Sequence, residues 1–238
     1  SPVSSKTLLS KVGEENRGTN NSWVGLSLRA RTIFFNSKNV KAGDLKSYAD
    51  LADPKWKGKL CLRTSRKVYN QSLVASMIKK DGEVSTKKIV KGWVANLAKP
   101  VFSDDTSLLK AIDNGICQVG IANTYYLARL KKEGAAKNVE VFWPKKSNGG
   151  VHVNISGAGI VKASTKKKQA EKFLEWLVTD EAQKIFAGLN DEYPVVKNVQ
   201  LSPVIAKWGK FDREPISLKG LGPLKKKAVM LMDSVQYR

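Results

Sequence analysis

Two adjacent tyrosines, Tyr125 and Tyr126, have the residue type and placement that could do distinctive chemistry. They follow the apolar run Ile116–Ala122, which predicts a strand, and Asn123-Thr124 opens a predicted helix behind it. At a helix start, two phenols can face one target beside free backbone N–H groups that favour negative charge. A phenol has an ordinary pKa of about 10, but a hard trivalent cation can hold the deprotonated form. The pair is a candidate metal site, although it also fits two rings packed in a core.

Other catalytic or metal-binding patterns are missing from the sequence. His152 is the single histidine and lies in the alternating stretch Val151–Ile155, which favours a structural role. Without a second histidine there is no zinc triad of histidines, and neither cysteine lies in a CxxC motif. No phosphate-binding GxxxxGK[ST] loop and no dinucleotide-binding GxGxxG motif occurs. The sequence therefore gives little support to an enzyme.

The charge balance is strongly basic. The chain has 238 residues, with 42 lysine and arginine residues against 21 acidic ones, so its net charge is +21. Such a charge would ordinarily suggest nucleic acid or another anionic surface as a partner. The lysines, however, are spread over nearly every predicted helix, and nucleic-acid recognition motifs are missing. We therefore expect a solvated cationic surface and no nucleic-acid partner.

The two cysteines, Cys61 and Cys117, each lie in a short apolar run that is typical of a strand. They could pair in a disulfide, which is the expected state in an exported protein. The same pattern also fits two buried thiols in a cytosolic protein. The residues alone leave both states open.

Short apolar runs alternate with helical patterns along the chain, which indicates α/β architecture. The predicted strands are Thr32–Phe35, Lys59–Leu62, Ile116–Ala122, Val139–Trp143, Val151–Ile155 and Gly157–Val161. The predicted helices are Leu45–Leu51, three patterns around Leu73–Ile78, Ile89–Leu97 and Leu108–Ile112, then Tyr125–Leu130, an amphipathic segment from Ser164 with a break near Thr179-Asp180, and Pro223–Arg238.

The lengths of the apolar runs and the first residues of the chain give a separate expectation. No run of roughly eighteen or more apolar residues occurs, as a membrane-spanning helix would need. The first residues, Ser1-Pro2-Val3-Ser4-Ser5, lack the charged and apolar regions of a secretory signal. We expect a globular chain that is mature or truncated.

Several stretches resemble the ferric-binding branch of the extracellular solute-binding proteins, and together they cover nearly the whole chain. Two of them are specific to the iron binders, namely Asn123-Thr124-Tyr125-Tyr126 and Tyr69-Asn70-Gln71-Ser72. The other matching stretches are Arg29-Ala30-Arg31, Tyr48–Gly58, Gly157–Val161 and Glu192-Tyr193-Pro194-Val195.

The resemblance implies an α/β fold of the type II periplasmic binding protein class, with two lobes and a hinge. Residues 1–31 and 156–206 would form a partial N-terminal lobe, and residues 32–155 and 207–238 a nearly complete C-terminal lobe. Relatives of this kind carry a further N-terminal segment with additional ligands, so the resemblance implies a truncated chain.

The resemblance also implies a metal site in which Tyr69, Tyr125 and Tyr126 bind Fe(III). A synergistic anion such as carbonate would be held by Arg29 or Arg31, although either arginine could instead be a structural ion-pair partner. Cys61 and Cys117 occupy places where relatives can carry a disulfide. The implied protein is a periplasmic monomer that delivers ferric iron to an inner-membrane ABC permease without catalysis.

Two other functions remain alternatives. The same fold could bind an organic or anionic solute, such as a polyamine or a phosphorylated compound, with the tyrosines stacking on it or hydrogen-bonding to it. A basic nucleic-acid-binding module would instead lose affinity steeply with rising salt and would not depend on Tyr69.

Overall fold

A computed structural model of the chain describes residues 1–216 and 220–238. The described residues form nine α-helices and six strands. The helices are α1 (Lys6–Lys11), α2 (Val68–Asp81), α3 (Glu83–Ala95), α4 (Asp105–Asp113), α5 (Thr124–Lys132), α6 (Lys167–Leu177), α7 (Asp180–Asn190), α8 (Pro203–Ala206) and α9 (Gly222–Ser234). The strands are β1 (Val24–Asn36), β2 (Leu60–Cys61), β3 (Val119–Asn123), β4 (Val139–Phe142), β5 (His152–Ala158) and β6 (Tyr193–Pro194).

Strand β1 is the centre of the sheet. The strand order is β2-β3-β1-β4, and β5 and β6 also pair with β1. Strands β2 and β3 are parallel, whereas β1 is antiparallel to β3, β4 and β6. The predicted α/β class is confirmed. The predicted strand Thr32–Phe35 is only the apolar end of β1, because the buried residues before it include polar ones such as Ser27 and Arg31.

The chain divides into two compact units. Unit 1 consists of residues 1–30 and 154–207, and unit 2 of residues 31–153 and 208–238. The predicted lobe boundaries were 31, 156 and 206, against 30, 154 and 207 for the units. The interpretation of these units as parts of an N-terminal and a C-terminal lobe stays a prediction. Residues 217–219, within the predicted segment 207–238, lie outside the described residues.

Unit 1 has its own apolar core, to which α1, α6 and β1 contribute through residues such as Leu8, Leu174 and Val24. The predicted break between two helices is confirmed, since α6 ends at Leu177 and α7 begins at Asp180. Thr179 caps α7 by accepting a hydrogen bond from the Ala182 N–H on its side-chain oxygen.

Unit 2 packs helices on both faces of its part of the sheet. Ile33 and Phe35 of β1 lie in one core with residues of α2, α3 and α9. Phe34 points the other way and lies in a second core with residues of α4 and α5. This alternation is the period of two expected of a strand that is covered on both sides. Helices α2, α4 and α5 are thereby held against the sheet.

Two sequence predictions about elements are wrong. Segment Leu45–Leu51 is not an α-helix. It begins just after a 3₁₀ turn at Ala42–Asp44 and ends inside a second one at Ala49–Ala52. The buried Tyr48 hydroxyl donates to the Arg31 carbonyl, so the segment is held against β1 by a contact that the local pattern does not contain. The predicted strand Gly157–Val161 is also wrong, because β5 continues the preceding predicted strand through Gly157 and ends at Ala158. Gly157 allows close approach of the neighbouring chain, because a Cβ there would lie 2.9 Å from the Val24 carbonyl oxygen.

Across the described residues, none of the helices is both long enough and apolar enough to cross a membrane.

Cys61 and Cys117 form a disulfide, as the resemblance implied. Cys61 ends β2, and Cys117 lies just before β3, the parallel neighbour of β2. The bond closes a loop over a separation of 56 residues that contains α2, α3 and α4. The disulfide therefore joins the chain just before α2, the helix that contains Tyr69, to the chain just after α4.

Replacing both cysteines by serine should lower the free energy of unfolding by about 4 kcal/mol, because the unfolded chain regains the entropy of an open loop of this length. Urea unfolding followed by circular dichroism measures the change. Reduced wild-type protein is the matched control and should unfold at the midpoint of the double variant. Identical midpoints for oxidised wild type and the double variant would contradict a stabilising role.

Candidate metal centre

Tyr125 and Tyr126 lie at the junction of β3 and α5, as the sequence predicted. Tyr125 is buried and Tyr126 is half-buried, with their ring centroids 4.3 Å apart. Asn123 is the N-cap residue of α5, but its side chain makes no capping bond to the helix. Its amide instead donates to the Tyr125 hydroxyl over 3.3 Å. The residue before the helix therefore orients the first phenol of the pair.

Tyr69 lies in the first turn of α2, which begins at Val68 and has no side-chain cap at Lys67. The Tyr125 hydroxyl donates to the Tyr69 hydroxyl over 3.4 Å, across 56 residues of sequence. Tyr125 is also hydrogen-bonded to Tyr126. The structure thus brings the three predicted tyrosines together within unit 2, and Tyr69 and Tyr126 are both half-buried rather than sealed in the core.

The separation of these phenol oxygens suits a shared ion. Two oxygen ligands of one metal lie within roughly 4 Å of each other, since each metal–oxygen bond is about 2 Å long. The Tyr125 and Tyr69 oxygens meet this limit at 3.4 Å. No group of three histidine, cysteine, aspartate or glutamate residues in the described part of the chain is placed to hold a metal. The phenol oxygens are therefore the candidate ligands of this site.

Two arginines that the sequence analysis did not single out lie beside the tyrosines. The Arg63 guanidinium is 5.7 Å from the ring centroid of Tyr69 and 5.9 Å from that of Tyr126. Arg63 also donates to the Tyr126 hydroxyl over 3.4 Å. Arg129 lies 5.4 Å from the ring centroid of Tyr125. Its spacing of four residues from Tyr125 on one helix was a usable sequence signal, whereas Arg63 gave none.

Burial and the nearby arginines have opposite effects on the negative charge that a phenol of this site can carry. Burial raises the pKa of the Tyr125 phenol above its ordinary value, and its hydrogen bonds with Tyr126 and Tyr69 raise it further. The guanidinium groups of Arg63 and Arg129 favour negative charge on the same phenols. Tyr125 is therefore protonated near neutral pH, and a cation that binds its oxygen must displace the proton.

The surroundings of Arg31 favour a structural role over the predicted anion-binding role, which stays a prediction. Arg31 is fully buried, and its guanidinium donates to Asn70, Asp105, Asn123 and the Ile121 carbonyl at 2.6 to 3.2 Å. These bonds engage its N–H donors with protein acceptors and leave no open face for an added anion. The ion pair with Asp105 matches the structural role that was the alternative for Arg31.

Arg29 lies two residues earlier on β1 and is half-buried in unit 1. Its anion-binding role stays a prediction.

The Arg31 network connects the chain segments that carry the tyrosines. Asn70 follows Tyr69 directly, and Asn123 precedes Tyr125 by two residues. The Asn70 side chain accepts from Arg31 at 2.6 Å and donates to the carbonyls of residues 63 and 64. The Asp105 carboxylate accepts from Arg31 and from the Asn123 backbone N–H, both at 3.2 Å. One buried cation therefore fixes the starts of α2 and α5 relative to each other.

The fold and the site define a class of protein: an α/β chain in two compact units, with converging tyrosine side chains in one of them. The chain belongs to the bacterial extracellular solute-binding protein family, whose model matches residues 4–213. Members of this family are substrate-binding transport proteins and not enzymes.

Comparison with known proteins gives more specific similarities. The chain is 40% identical over 243 residues to iron uptake protein A1 of Synechocystis, an alignment that covers all of this chain and 68% of that protein. It is 30% identical over 189 residues to the major ferric iron-binding protein of Neisseria meningitidis serogroup B, covering 76% of this chain and 56% of that one.

Among solved structures, the chain is similar to the Trichodesmium protein IdiA (FutA) in complex with iron and citrate. The TM-score is 0.96 and the identity 43%, with all of this chain and 77% of that chain covered. The predicted type II periplasmic binding protein fold is confirmed by this similarity.

Replacing Asp105 by alanine should destabilise the protein by about 3 to 5 kcal/mol, because Arg31 would stay buried without its carboxylate. Urea unfolding measures the effect. Asp233→Ala is the matched control, since Asp233 pairs with Arg238 on the exposed surface and should leave the midpoint unchanged. Equal midpoints for the two variants would show that the buried pair does not hold the site together.

Proposed function

We propose that this chain is the ferric-iron-binding component of a bacterial ABC importer and that Tyr69, Tyr125 and Tyr126 are its iron ligands. The observation that carries the proposal is the convergence of the three phenols, with the Tyr125 and Tyr69 oxygens 3.4 Å apart and Tyr125 hydrogen-bonded to Tyr126. The similarity to iron uptake and ferric iron-binding proteins supports it.

Binding rests on the match between a hard trivalent cation and hard phenolate oxygens. A phenol must lose its proton to bind as a phenolate, so each ligand bond that forms releases a proton. Three phenolates offset the charge of Fe(III), and the nearby guanidinium groups of Arg63 and Arg129 favour the deprotonated oxygens as the metal binds. Selectivity for Fe(III) over softer or divalent ions follows from the charge and type of the ligand set.

Three phenolates leave room in the coordination shell for other ligands, such as a carbonate anion. The related Trichodesmium structure contains citrate together with iron, which supports a role for an anion. Of the two arginines predicted to hold it, Arg29 is half-buried and Arg31 fully buried. Arg63 donates to the Tyr126 hydroxyl, which makes it a further candidate.

The setting of the function is the periplasm, and the acceptor of the iron is an inner-membrane ABC permease. The disulfide between Cys61 and Cys117 suits an oxidising compartment. The chain would act as a monomer without catalysis, since capture and delivery require only binding and release.

Titration of the chain with Fe(III) should produce a visible tyrosinate-to-iron charge-transfer band. Tyr125→Phe with Tyr126→Phe should abolish the band and lower the affinity by more than about 100-fold, beyond the effect of residues that merely support a ligand. Tyr193→Phe is the control, because Tyr193 lies in unit 1 and should leave the band unchanged. A full band in the double variant would refute the ligand assignment.

Saturable binding of a polyamine or phosphorylated compound without iron would favour the alternative solutes.

The pH dependence of the Fe(III) affinity reports how many phenols lose a proton when iron binds. Because each bound phenol loses a proton, the apparent Fe(III) affinity should fall as the pH is lowered, by about tenfold per pH unit for each phenol. Competition with a chelator of known proton affinity measures the slope. Tyr69→Phe should reduce that slope by the contribution of one proton. An unchanged slope in this variant would exclude Tyr69 as a ligand that ionises on binding.

A further inference from the structure

A second buried polar cluster lies beside α2 and is separate from the Arg31 network. His152 is fully buried, and its Nδ1 lies 2.5 Å from the Glu214 carboxylate. His152 Nε2 lies 3.0 Å from the Ser72 hydroxyl oxygen. The other oxygen of the Glu214 carboxylate accepts from the buried Ser76 hydroxyl at 2.7 Å. His152 and Glu214 thus form a pair that is hydrogen-bonded to two serine hydroxyls of α2.

The main chain holds His152 and Glu214 in fixed register. The backbone N–H of residue 151 donates to the carbonyl of residue 212, and that of Glu214 donates to the carbonyl of residue 151. Gly150 has a φ of +72°, and a Cβ there would lie 2.8 Å from the Glu214 nitrogen. The Tyr48 hydroxyl accepts from the His152 N–H and donates to the carbonyl of Arg31 on β1. The pair is therefore a rigid platform tied to the sheet.

The two serines share a face of α2 with a proposed iron ligand. Tyr69, Ser72 and Ser76 are separated by three and four residues, so they lie along one stripe of the helix. The hydroxyls of Ser72 and Ser76 are bonded to the platform, and Tyr69 projects from the same stripe one turn nearer the helix start. Whatever fixes the rotation of this stripe also fixes the direction of the Tyr69 side chain.

The apolar contacts of α2 alone do not specify that rotation closely. Leu73, Val74 and Met77 pack in the core that also contains residues of α3 and α9, and such contacts are non-directional. Hydrogen bonds prefer narrow ranges of distance and angle. At a side-chain radius of about 6 Å, a helix rotation of about 20° moves a side-chain tip by about 2 Å. A shift of this size is as long as a metal–oxygen bond.

We propose that Ser72 and Ser76, held by the His152–Glu214 pair, are positioning residues that set the direction of Tyr69 toward Tyr125 and Tyr126. The consequence for iron affinity rests on the proposed function, whereas the consequence for the Tyr69 side chain does not. The sequence indicated a structural role for His152, and its burial between Glu214 and Ser72 confirms that role.

The test uses the full chain labelled with 3-fluorotyrosine and observed by fluorine NMR without iron. The resonance of Tyr69 is assigned with Tyr69→Phe. Removing both hydroxyls, in Ser72→Ala with Ser76→Ala, should shift or broaden the Tyr69 resonance while those of Tyr193 and Tyr237 stay in place. In a parallel titration, the Fe(III) affinity should fall by about 10- to 100-fold, the range for residues that support a metal ligand.

Two further variants separate positioning from general stability. Ser234→Ala removes a hydroxyl from α9, the helix that packs on α2, and that hydroxyl donates to the Leu231 carbonyl within its own helix. It should leave the Tyr69 resonance and the iron affinity unchanged. Ser72→Thr keeps the hydroxyl at a half-buried position and should restore the resonance that Ser72→Ala shifts. Ser72→Ala alone also serves if the double variant does not fold.

The outcomes of this experiment are distinguishable. An unmoved Tyr69 resonance in the serine variants overturns the positioning role, as does a shift of all six tyrosine resonances together, which would show a general loss of structure. A selective Tyr69 shift supports the positioning role. If that shift occurs in a chain that shows no charge-transfer band with Fe(III), the proposed function fails while the positioning role stands.

Discussion

The buried ion pair between Arg31 and Asp105 is the interaction on which the arrangement of the site depends. Both side chains are fully buried, and an unpaired charge there would be strongly unfavourable. The remaining N–H groups of Arg31 donate to Asn70, Asn123 and the Ile121 carbonyl, and Asp105 also accepts from the Asn123 backbone N–H. Because the two asparagines adjoin Tyr69 and Tyr125, satisfying the buried charge also places the phenols close together. The proposed iron chemistry thus follows from a constraint that is structural in origin.

The two polar networks around α2 constrain different motions of one helix. The Arg31 network holds the start of α2 through Asn70, whose amide also bonds to the loop at residues 63 and 64. The platform of His152 and Glu214 contacts the next two turns through Ser72 and Ser76. Tyr48 joins the networks, because its hydroxyl bonds both to the Arg31 carbonyl and to the His152 N–H. Tyr69 therefore belongs to a helix fixed in both position and rotation.

What the sequence predicted well was local. The junction at Tyr125, the break at Thr179 and the α/β alternation each depend on neighbouring residues, and the structure confirms them. What it missed depends on contacts between distant residues. Nothing in the pattern around Arg31 shows that residues 74 and 92 positions away surround its guanidinium. Arg63, 63 residues from Tyr126, is another such case. A buried arginine and an anion-binding arginine look alike in sequence until their partners are known.

The proposed function requires that one ferric ion is bound by the oxygens of Tyr69, Tyr125 and Tyr126 together. A crystal of the chain grown with Fe(III) and citrate, with diffraction data collected at the iron absorption edge, locates the ion. We expect a single anomalous peak within bonding distance of all three phenol oxygens. A peak at another place on the chain, or one within bonding distance of fewer than two of these oxygens, would contradict it.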